Sequence, residues 1–307
     1  MTPTVSVVMN CLNCATYVRE AIESVYAQTY TDWEIVFWDN ASTDVSGEIA
    51  RSFDDGKLRY FRGAETVPLG QARNLALEQA QGQYIAFLDC DDLWLPTKLE
   101  KQIPLFDDAE VGLVYCDVFS FNSRGKELRL YAVRPSYEGH CFRALLVDFF
   151  LWGVTVIIRR STLATLDAWF DGRFNMIAEA DLFRRIGYRW KLAMVNEPLA
   201  RWRVHQGSSS WSRQNFGATE TDQMLDKYGD LFEGFFDLYE EEVASLRRKS
   251  ARTVLHLIWN GDRQEARRML RPRLANPRAL AIYVSTFLPR PLFRRLYELR
   301  GKAILPS

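Results

Sequence analysis

The stretch Tyr84-Ile85-Ala86-Phe87-Leu88-Asp89-Cys90-Asp91-Asp92-Leu93-Trp94-Leu95-Pro96 decides how the rest of the chain is read. An apolar run of strand length ends abruptly in three carboxylates, Asp89, Asp91 and Asp92. That ending places the acids at the carboxyl edge of a buried strand, where open α/β sheets hold their ligands. In extended geometry Asp89 and Asp91 share one side of the chain, about 7 Å apart. Two carboxylates converging on one point repel, and they stay ionised at neutral pH most easily with a divalent cation between them. The competing reading makes Asp92 the cap of a helix after Pro96 and leaves the other acids as solvated loop charge.

Working outward, Val5 to Met9 reads as a buried strand, and Ala15 to Gln28 as an amphipathic helix with Tyr17, Val18, Ala21, Ile22 and Val25 turned inward. Trp33 to Trp38 is the next strand, and a helix begins at Thr43 or Asp44 and runs through Phe53. Leu58 to Phe61 makes a third strand and Gly70 to Gln81 a third helix. This alternation predicts an α/β fold, Rossmann-like, with a mostly parallel central sheet, helices on both faces and ligand loops gathered at one edge. Asn10, Cys11, Leu12 and Asn13 follow the first strand in place of a G-x-G-x-x-G turn, so a dehydrogenase-type dinucleotide site is not expected.

Beyond the acid stretch, Thr97 to Ile103 reads as a helix ended or kinked by Pro104, and Gly112 to Asn122 as a strand. Gly125 turns the chain into Leu128 to Val133; His140 to Phe150 has helix length and an apolar face; Thr155 to Ile158 is a strand; Ser161 caps a short helix to Leu166. Ala178 to Arg185 opens a helix with Glu179 and Asp181, and Trp190 to Val195 is a strand ended by Glu197 and Pro198. Residues two apart on a helix point roughly 200° apart, so Glu179 and Asp181 cannot both face one site. Either acid has a plainer reading as a helix cap or a complement to the helix dipole. A boundary near 215 separates a domain of residues 1–215 from a C-terminal α-helical region, 216–307. In that region Ser250 to Trp259, a turn at Asn260 and Gly261, and Arg263 to Leu270 read as a helical hairpin. Pro289 and Pro291 break Leu280 to Leu299 into two helices.

The 307 residues, 48% hydrophobic and 25% charged, match a globular protein with a full core. Basic and acidic residues number 39 each, so no global field recruits nucleic acid. The distribution is uneven: from Arg247 onward, 15 basic residues stand against Asp262, Glu265 and Glu298. Five scattered cysteines argue for a reducing compartment. Cys11 and Cys14 form a C-x-x-C placed as a thioredoxin-like site would be, but no second element supports that chemistry. Met1 to Thr4 leads straight into a strand, so no signal peptide is expected. No apolar run reaches ~18 residues, so no span is expected.

Five segments carry a family likeness: Val5 to Asn13 (VSVVMNCLN), Gln28 to Tyr30, Trp33 to Asp44 (WEIVFWDNASTD), Gly70 to Leu75 (GQARNL) and Gly82 to Pro96 (GQYIAFLDCDDLWLP). In this order and spacing they resemble the nucleotide-binding half of glycosyltransferase family 2. The resemblance implies the fold called GT-A. It also implies inverting transfer of a hexosyl or N-acetylhexosaminyl group from a nucleoside-diphosphate sugar, UDP-sugar favoured, to an acceptor hydroxyl. A glycan or lipid-linked glycan in bacterial cell-surface polysaccharide or lipopolysaccharide assembly would be the acceptor.

By the same resemblance, Asn13, Asp39 and Asn40 orient the base and ribose, and Arg73 reaches the ribose or diphosphate. Mg²⁺ or Mn²⁺ sits on Asp91, assisted by Asp89. Members often have two adjacent Asp where this chain has Asp39 and Asn40. Aligning Asp181, Leu182 and Arg185 with the family's acid motif puts Ala178 in the first acid slot and Glu179 in the second, that of the catalytic base. Glu179 is therefore expected as base with Asp181 structural, and Asp181 is the alternative base. Arg201 to His205 (RWRVH), with Gln206, Gly207 and Ser208 to Ser210, resembles the family's mobile loop over the nucleotide. His205 would join the metal, and Trp211 and Arg213 would close over the diphosphate. From the residues alone, an exposed His205, a surface Arg73 and a simple turn at Asp39 and Asn40 stay open. So do a nucleotidyltransferase on a similar core and a non-catalytic nucleotide-sugar-binding protein. The basic amphipathic tail suits an anionic membrane surface, and equally a contact with the catalytic domain or with a second subunit in a homo-oligomer. The expected location is cytoplasmic, free or peripheral on the inner face of the cytoplasmic membrane.

Overall fold

The apolar runs of the first ninety residues become Val5–Cys11 (β1), Trp33–Asp39 (β2), Leu58–Arg62 (β3) and Tyr84–Phe87 (β4). β1, β2 and β4 are buried almost throughout, as strands covered on both faces must be. β1 pairs in parallel with β2 and with β4, and β2 with β3. The crossovers are the helices Val18–Tyr26 (α1), Ser46–Arg51 (α2) and Leu69–Gln79 (α3). In α1, Val18, Ala21, Ile22 and Val25 face the core at the i, i+3, i+4 and i+7 spacing of an amphipathic helix. The computed structural model describes residues 2–174, 176–205, 217–271, 274, 277–289, 291–293 and 295. Gln206 to Ser210, Trp211 and Arg213, like Arg290, Arg294 and Arg300 of the tail, lie outside these described residues.

Gly82 lets β4 start tight against β1. A Cβ there would meet the Ser6 backbone nitrogen at 2.5 Å and the Val5 carbonyl carbon at 2.8 Å, and strand backbone cannot swing aside. Gly82→Ala is expected to cost about 1–3 kcal/mol and to lower the melting temperature by several degrees in a thermal scan.

The sheet continues through Leu93–Trp94 (β5), Val111–Phe121 (β6), Glu127–Arg129 (β7), Ile157–Arg159 (β8) and Lys191–Arg203 (β9). Among the described residues the order is β3-β2-β1-β4-β8-β6-β9-β5, with β7 on β6. β6 and β9 are parallel, whereas β8 runs antiparallel to β4 and β6, and β5 antiparallel to β9. Around this sheet lie the helices Lys98–Gln102 (α4), Phe142–Val147 (α5), Arg160–Leu163 (α6) and Ala178–Arg189 (α7).

Three expectations are corrected. Glu197 and Pro198 do not end β9, which runs on to Arg203. Between the pairs Cys116–Val195 and Val118–Ala200, β9 holds three residues more than β6, and this break in the ladder accommodates a proline that has no N–H to donate. The expected helix from His140 to Phe150 shrinks to α5: Phe142, Leu145 and Leu146 are buried, and Asp148 then turns extended at φ −133° and ψ 96°. The extended geometry of β4 does not persist through the acids either. The Asp92 N–H donates to the Asp89 carbonyl at 3.0 Å, so the acids sit on a turn.

The chain divides into two compact units, residues 1–212 and 213–307. The second contains Gly217–Leu231 (α8), Phe235–Leu238 (α9), Glu240–Asn260 (α10), Arg263–Leu270 (α11) and Pro277–Ser285 (α12). Gly261, at φ 98°, stops α10 and turns the chain into α11, as a glycine beyond a helix end does. Val254, Leu257, Ile258, Ala266, Met269 and Leu270 form the core of this hairpin. Arg267 is held within the unit, its guanidinium donating to Thr286 Oγ1 at 2.8 Å and lying over the Phe287 ring. No helix of the described residues is long and apolar enough to cross a membrane.

Candidate active site

The carboxyl ends of β1 and β2 make the first wall of the site. Asp39, fully buried at the end of β2, accepts from the Ser42 N–H at 2.7 Å, the Tyr60 hydroxyl at 2.5 Å and Arg62 Nη1 at 2.7 Å. Burial pushes its carboxyl up, but the Tyr60 and Ser42 hydrogen bonds and the Arg62 charge outweigh it and hold the group below its usual range. Asn40 is spent on the backbone of Val67, donating to its carbonyl at 2.8 Å and accepting from its N–H at 3.2 Å. Asn13, left-handed at φ 57°, accepts from the Thr43 N–H at 2.8 Å, while its own N–H donates to Ser42 Oγ at 3.0 Å. Asn tolerates that backbone well; Ala41, at φ 62°, does so under strain. All three expected base-binding side chains thus brace the loops themselves. Tyr60 and Arg62 were missed from the sequence, although the parallel register that sets Arg62 beside Asp39 is the signal that finds them.

The acid turn is joined to the far end of β9. Leu93 and Trp94 of β5 pair with Arg201 and Ala200, which carries Arg203 and His205 to the carboxylates. Asp92 is buried and accepts from the Arg203 N–H at 2.8 Å, so it is not the cap of α4. Burial and the neighbouring Asp91 and Asp89 push its carboxyl well up. His205 Nε2 lies 2.9 Å from Asp91 Oδ2, and its ring packs on Tyr17 with centroids 5.4 Å apart. Arg203 donates through Nε to the Asp91 carbonyl at 2.8 Å and pairs with Glu20 at 2.9 Å.

Arg73 ties this turn to α7. The guanidinium is buried, against the surface position open to it from the sequence. Nη2 meets Asp89 Oδ1 at 2.9 Å and Nη1 meets Glu179 Oε1 at 2.5 Å, while the plane lies over Phe170. Burial opposes the charge, but Glu179 and Asp89 together keep Arg73 firmly protonated. Glu179, in the first turn of α7, remains 27% exposed at its side chain. Burial pushes its carboxyl up and Asp89 adds to this, against the pull of Arg73. A Cβ on Gly153 would meet both Glu179 carboxylate oxygens, at 2.9 and 3.0 Å, so only glycine leaves that carboxylate its place. Asp181 is fully buried and pairs with Arg185 at 2.9 Å, whose Nη1 in turn donates to the Ala168 carbonyl at 2.6 Å. It braces α7 and has no exposed surface to offer a ligand.

Asp89, Asp91 and His205 do not close into a three-ligand cage: Asp89 leans on Arg73 and Asp91 on His205. The donor set still suits a hard divalent cation. Asp91 is pushed up by burial and by Asp89, a penalty that a cation relieves, and Mg²⁺-type ions take one or two carboxylates and complete their shell with phosphate oxygens and water.

Residues 6–166 match the model of "Glycosyl transferase family 2". The chain is 36% identical over 222 residues to the "Putative glycosyltransferase EpsE" of Bacillus subtilis, covering 70% of this chain and 77% of that protein. S. aureus TarS shares the fold at TM-score 0.63 and 16% identity, over 95% of this chain and 91% of the other. The mannosyltransferase PcManGT of Pyrobaculum calidifontis, solved with GDP-Man and Mn²⁺, does so at TM-score 0.60 and 20% identity, over 98% and 85%. A mostly parallel α/β sheet with its polar residues at the strand ends and a family match spanning half the sequence lead to one assignment: the chain belongs to glycosyl transferase family 2 and is a glycosyltransferase of the GT-A fold.

Proposed function

We propose that this glycosyltransferase moves a sugar, with inversion, from a nucleoside-diphosphate donor to a hydroxyl of a glycan or lipid-linked glycan, with Glu179 as the base. The observation that carries this is the Arg73 bridge, which brings a carboxylate on the helix α7 into one cluster with the acid turn. The acceptor oxygen loses its proton to the Glu179 carboxylate as it bonds to the anomeric carbon, and the bond to the diphosphate oxygen breaks on the opposite face. One displacement needs no nucleophile on the protein. A raised Glu179 pKa brings the group closer to the operating pH, which strengthens it as a base.

Asp91 and Asp89 would hold Mg²⁺ or Mn²⁺, with His205 steadying Asp91. The cation's contribution is to offset charge on the leaving diphosphate. Asn13, Asp39 and Asn40 would act by shaping the pocket for the base. The solved complexes of TarS with UDP-GlcNAc and of PcManGT with GDP-Man and Mn²⁺ support a nucleotide-sugar donor and a divalent metal. A UDP-sugar is favoured. Because the basic residues of the second unit outnumber its acids, an anionic membrane surface is the proposed setting for a lipid-linked acceptor.

The test is donor hydrolysis and transfer across UDP-, dTDP- and GDP-sugars, with Mn²⁺ and with EDTA. Release of one nucleoside diphosphate should require metal and fall by about 10²-fold or more in Asp91→Asn. Release unaffected by EDTA would remove the cation from the reading, and absence of any nucleotide binding would remove the donor.

A further inference from the structure

Three of the five cysteines meet beneath the proposed donor site. Cys11 ends β1, Cys14 lies in the turn into α1, and Cys90 stands between Asp89 and Asp91 on the acid turn. All are free thiols, and their sulfurs lie within 4.8 Å of one another. Cys11 and Cys90 are buried and Cys14 is half-buried.

Hydrogen bonds fix the turn that carries Cys14 and tie Cys90 to β1. Asn13 N–H and Cys14 N–H donate to Ser42 Oγ at 3.0 Å and Ser46 Oγ at 2.9 Å, and the Cys90 thiol donates to the Asn10 carbonyl at 3.3 Å. Cys116 and Cys141 are not in the group, and no fourth His, Cys, Asp or Glu joins it among the described residues.

We propose that Cys11, Cys14 and Cys90 form a three-thiolate site for one soft, closed-shell cation, Zn²⁺ or Cu⁺. Metal–sulfur bonds of about 2.3 Å put three sulfurs about 3.8–4.0 Å apart, so a small closure of the observed triangle suffices. A disulfide would employ two of the sulfurs and leave the third without a role. Sulfur donors select soft ions, whereas the oxygens of Asp89 and Asp91 select hard ones, so two adjacent sites sort two kinds of metal. On binding, each thiol that becomes a ligand gives its proton to solvent and forms a metal–sulfur bond, with no change of oxidation state. Cys14, the half-buried member, is the one nearest solvent, so the ion would enter on its side, where water could serve Zn²⁺ as fourth ligand. Occupancy would clip the end of β1 to the acid turn.

The full chain, reduced with a phosphine and stripped of metal, would be titrated with Zn²⁺ against a chromophoric chelator and, separately, with Cu⁺ against bicinchoninate. One ion per chain is expected, undisturbed by excess Mg²⁺, with affinity weakened at least tenfold in Cys14→Ser and unchanged in Cys141→Ser. The tighter arm names the metal. Co²⁺ added to the wild-type chain should show thiolate charge-transfer absorption in the near ultraviolet, a readout that needs no variant to fold. Uptake unaltered in Cys14→Ser, cobalt binding without that absorption, or a Cys11–Cys14 disulfide in the isolated protein with no uptake after reduction would each overturn the proposal.

Discussion

Glu179→Gln is expected to lower turnover by about 10²–10⁴-fold while nucleotide-sugar affinity stays within a few fold, because only the proton acceptor is lost. An amide oxygen still accepts from Arg73, and the shape at Gly153 is kept. Stability separates this loss from simple unfolding. The Glu179 carboxyl is raised above its ordinary 4.5 by burial, so ionising it costs folding free energy. That cost is absent below the ordinary value and grows as pH rises through the raised one. The variant is therefore expected to melt no lower than the parent at neutral pH. In the wild type, the acid limb of the rate profile should lie above the usual glutamate range, since the base works only when ionised. Turnover near the parent level in Glu179→Gln would sink the assignment, and Asp181→Asn offers no rescue of it: that change should unfold the Arg185 contacts instead.

Arg73→Leu is expected to have the largest effect on the fold of the site. Its guanidinium lies between two carboxylates, and removing it leaves Asp89 and Glu179, 45% and 27% exposed at their side chains, facing each other with no counter-charge between them. Both acids keep access to water, which screens their repulsion, so the loss is expected at about 1–3 kcal/mol, or several degrees in melting temperature. Arg73→Lys should keep part of the stability but little of the activity, because an ammonium cannot fork between two partners as a planar guanidinium does. Without the Arg73 charge, burial and the neighbouring Asp89 both push Glu179 up with no cation to oppose them, so the acid limb of any residual activity should move to higher pH. A lysine variant with unchanged rate and pH profile would show that the bridge has no part in the chemistry.

The first ninety residues were legible because strands buried on both faces must be written as continuous apolar runs, and β1, β2 and β4 are. Asp89 and Asp91 were legible for the converse reason, since charge directly after such a run has few structural uses. What stayed hidden depends on which loops tertiary packing brings together. Arg73 and Glu179 are distant in sequence, and no local pattern tells a buried bridging arginine from a surface one on a helix turn. Asn40 beside Asp39 read as a ligand for a nucleobase, but its amide faces Val67, a partner fixed only once the loop has folded back. The second half of β9 is not legible because a proline ordinarily ends a ladder, whereas here a break in register lets the strand pass through one.

That break in β9 also sets which changes of chain length the protein can tolerate. Side chains alternate along a strand, but the face each later residue presents is set by the pairs from Val118–Ala200 to Phe121–Arg203, and the step between Val195 and Ala200 has only to span the gap. It already absorbs an odd number of extra residues, so one gained or lost there leaves Arg203 and His205 facing Asp91 and Asp92 as long as that later ladder holds. Related sequences that keep this site should therefore vary in the length of that short step as well as in its amino acids, while the residues paired beyond it stay in register.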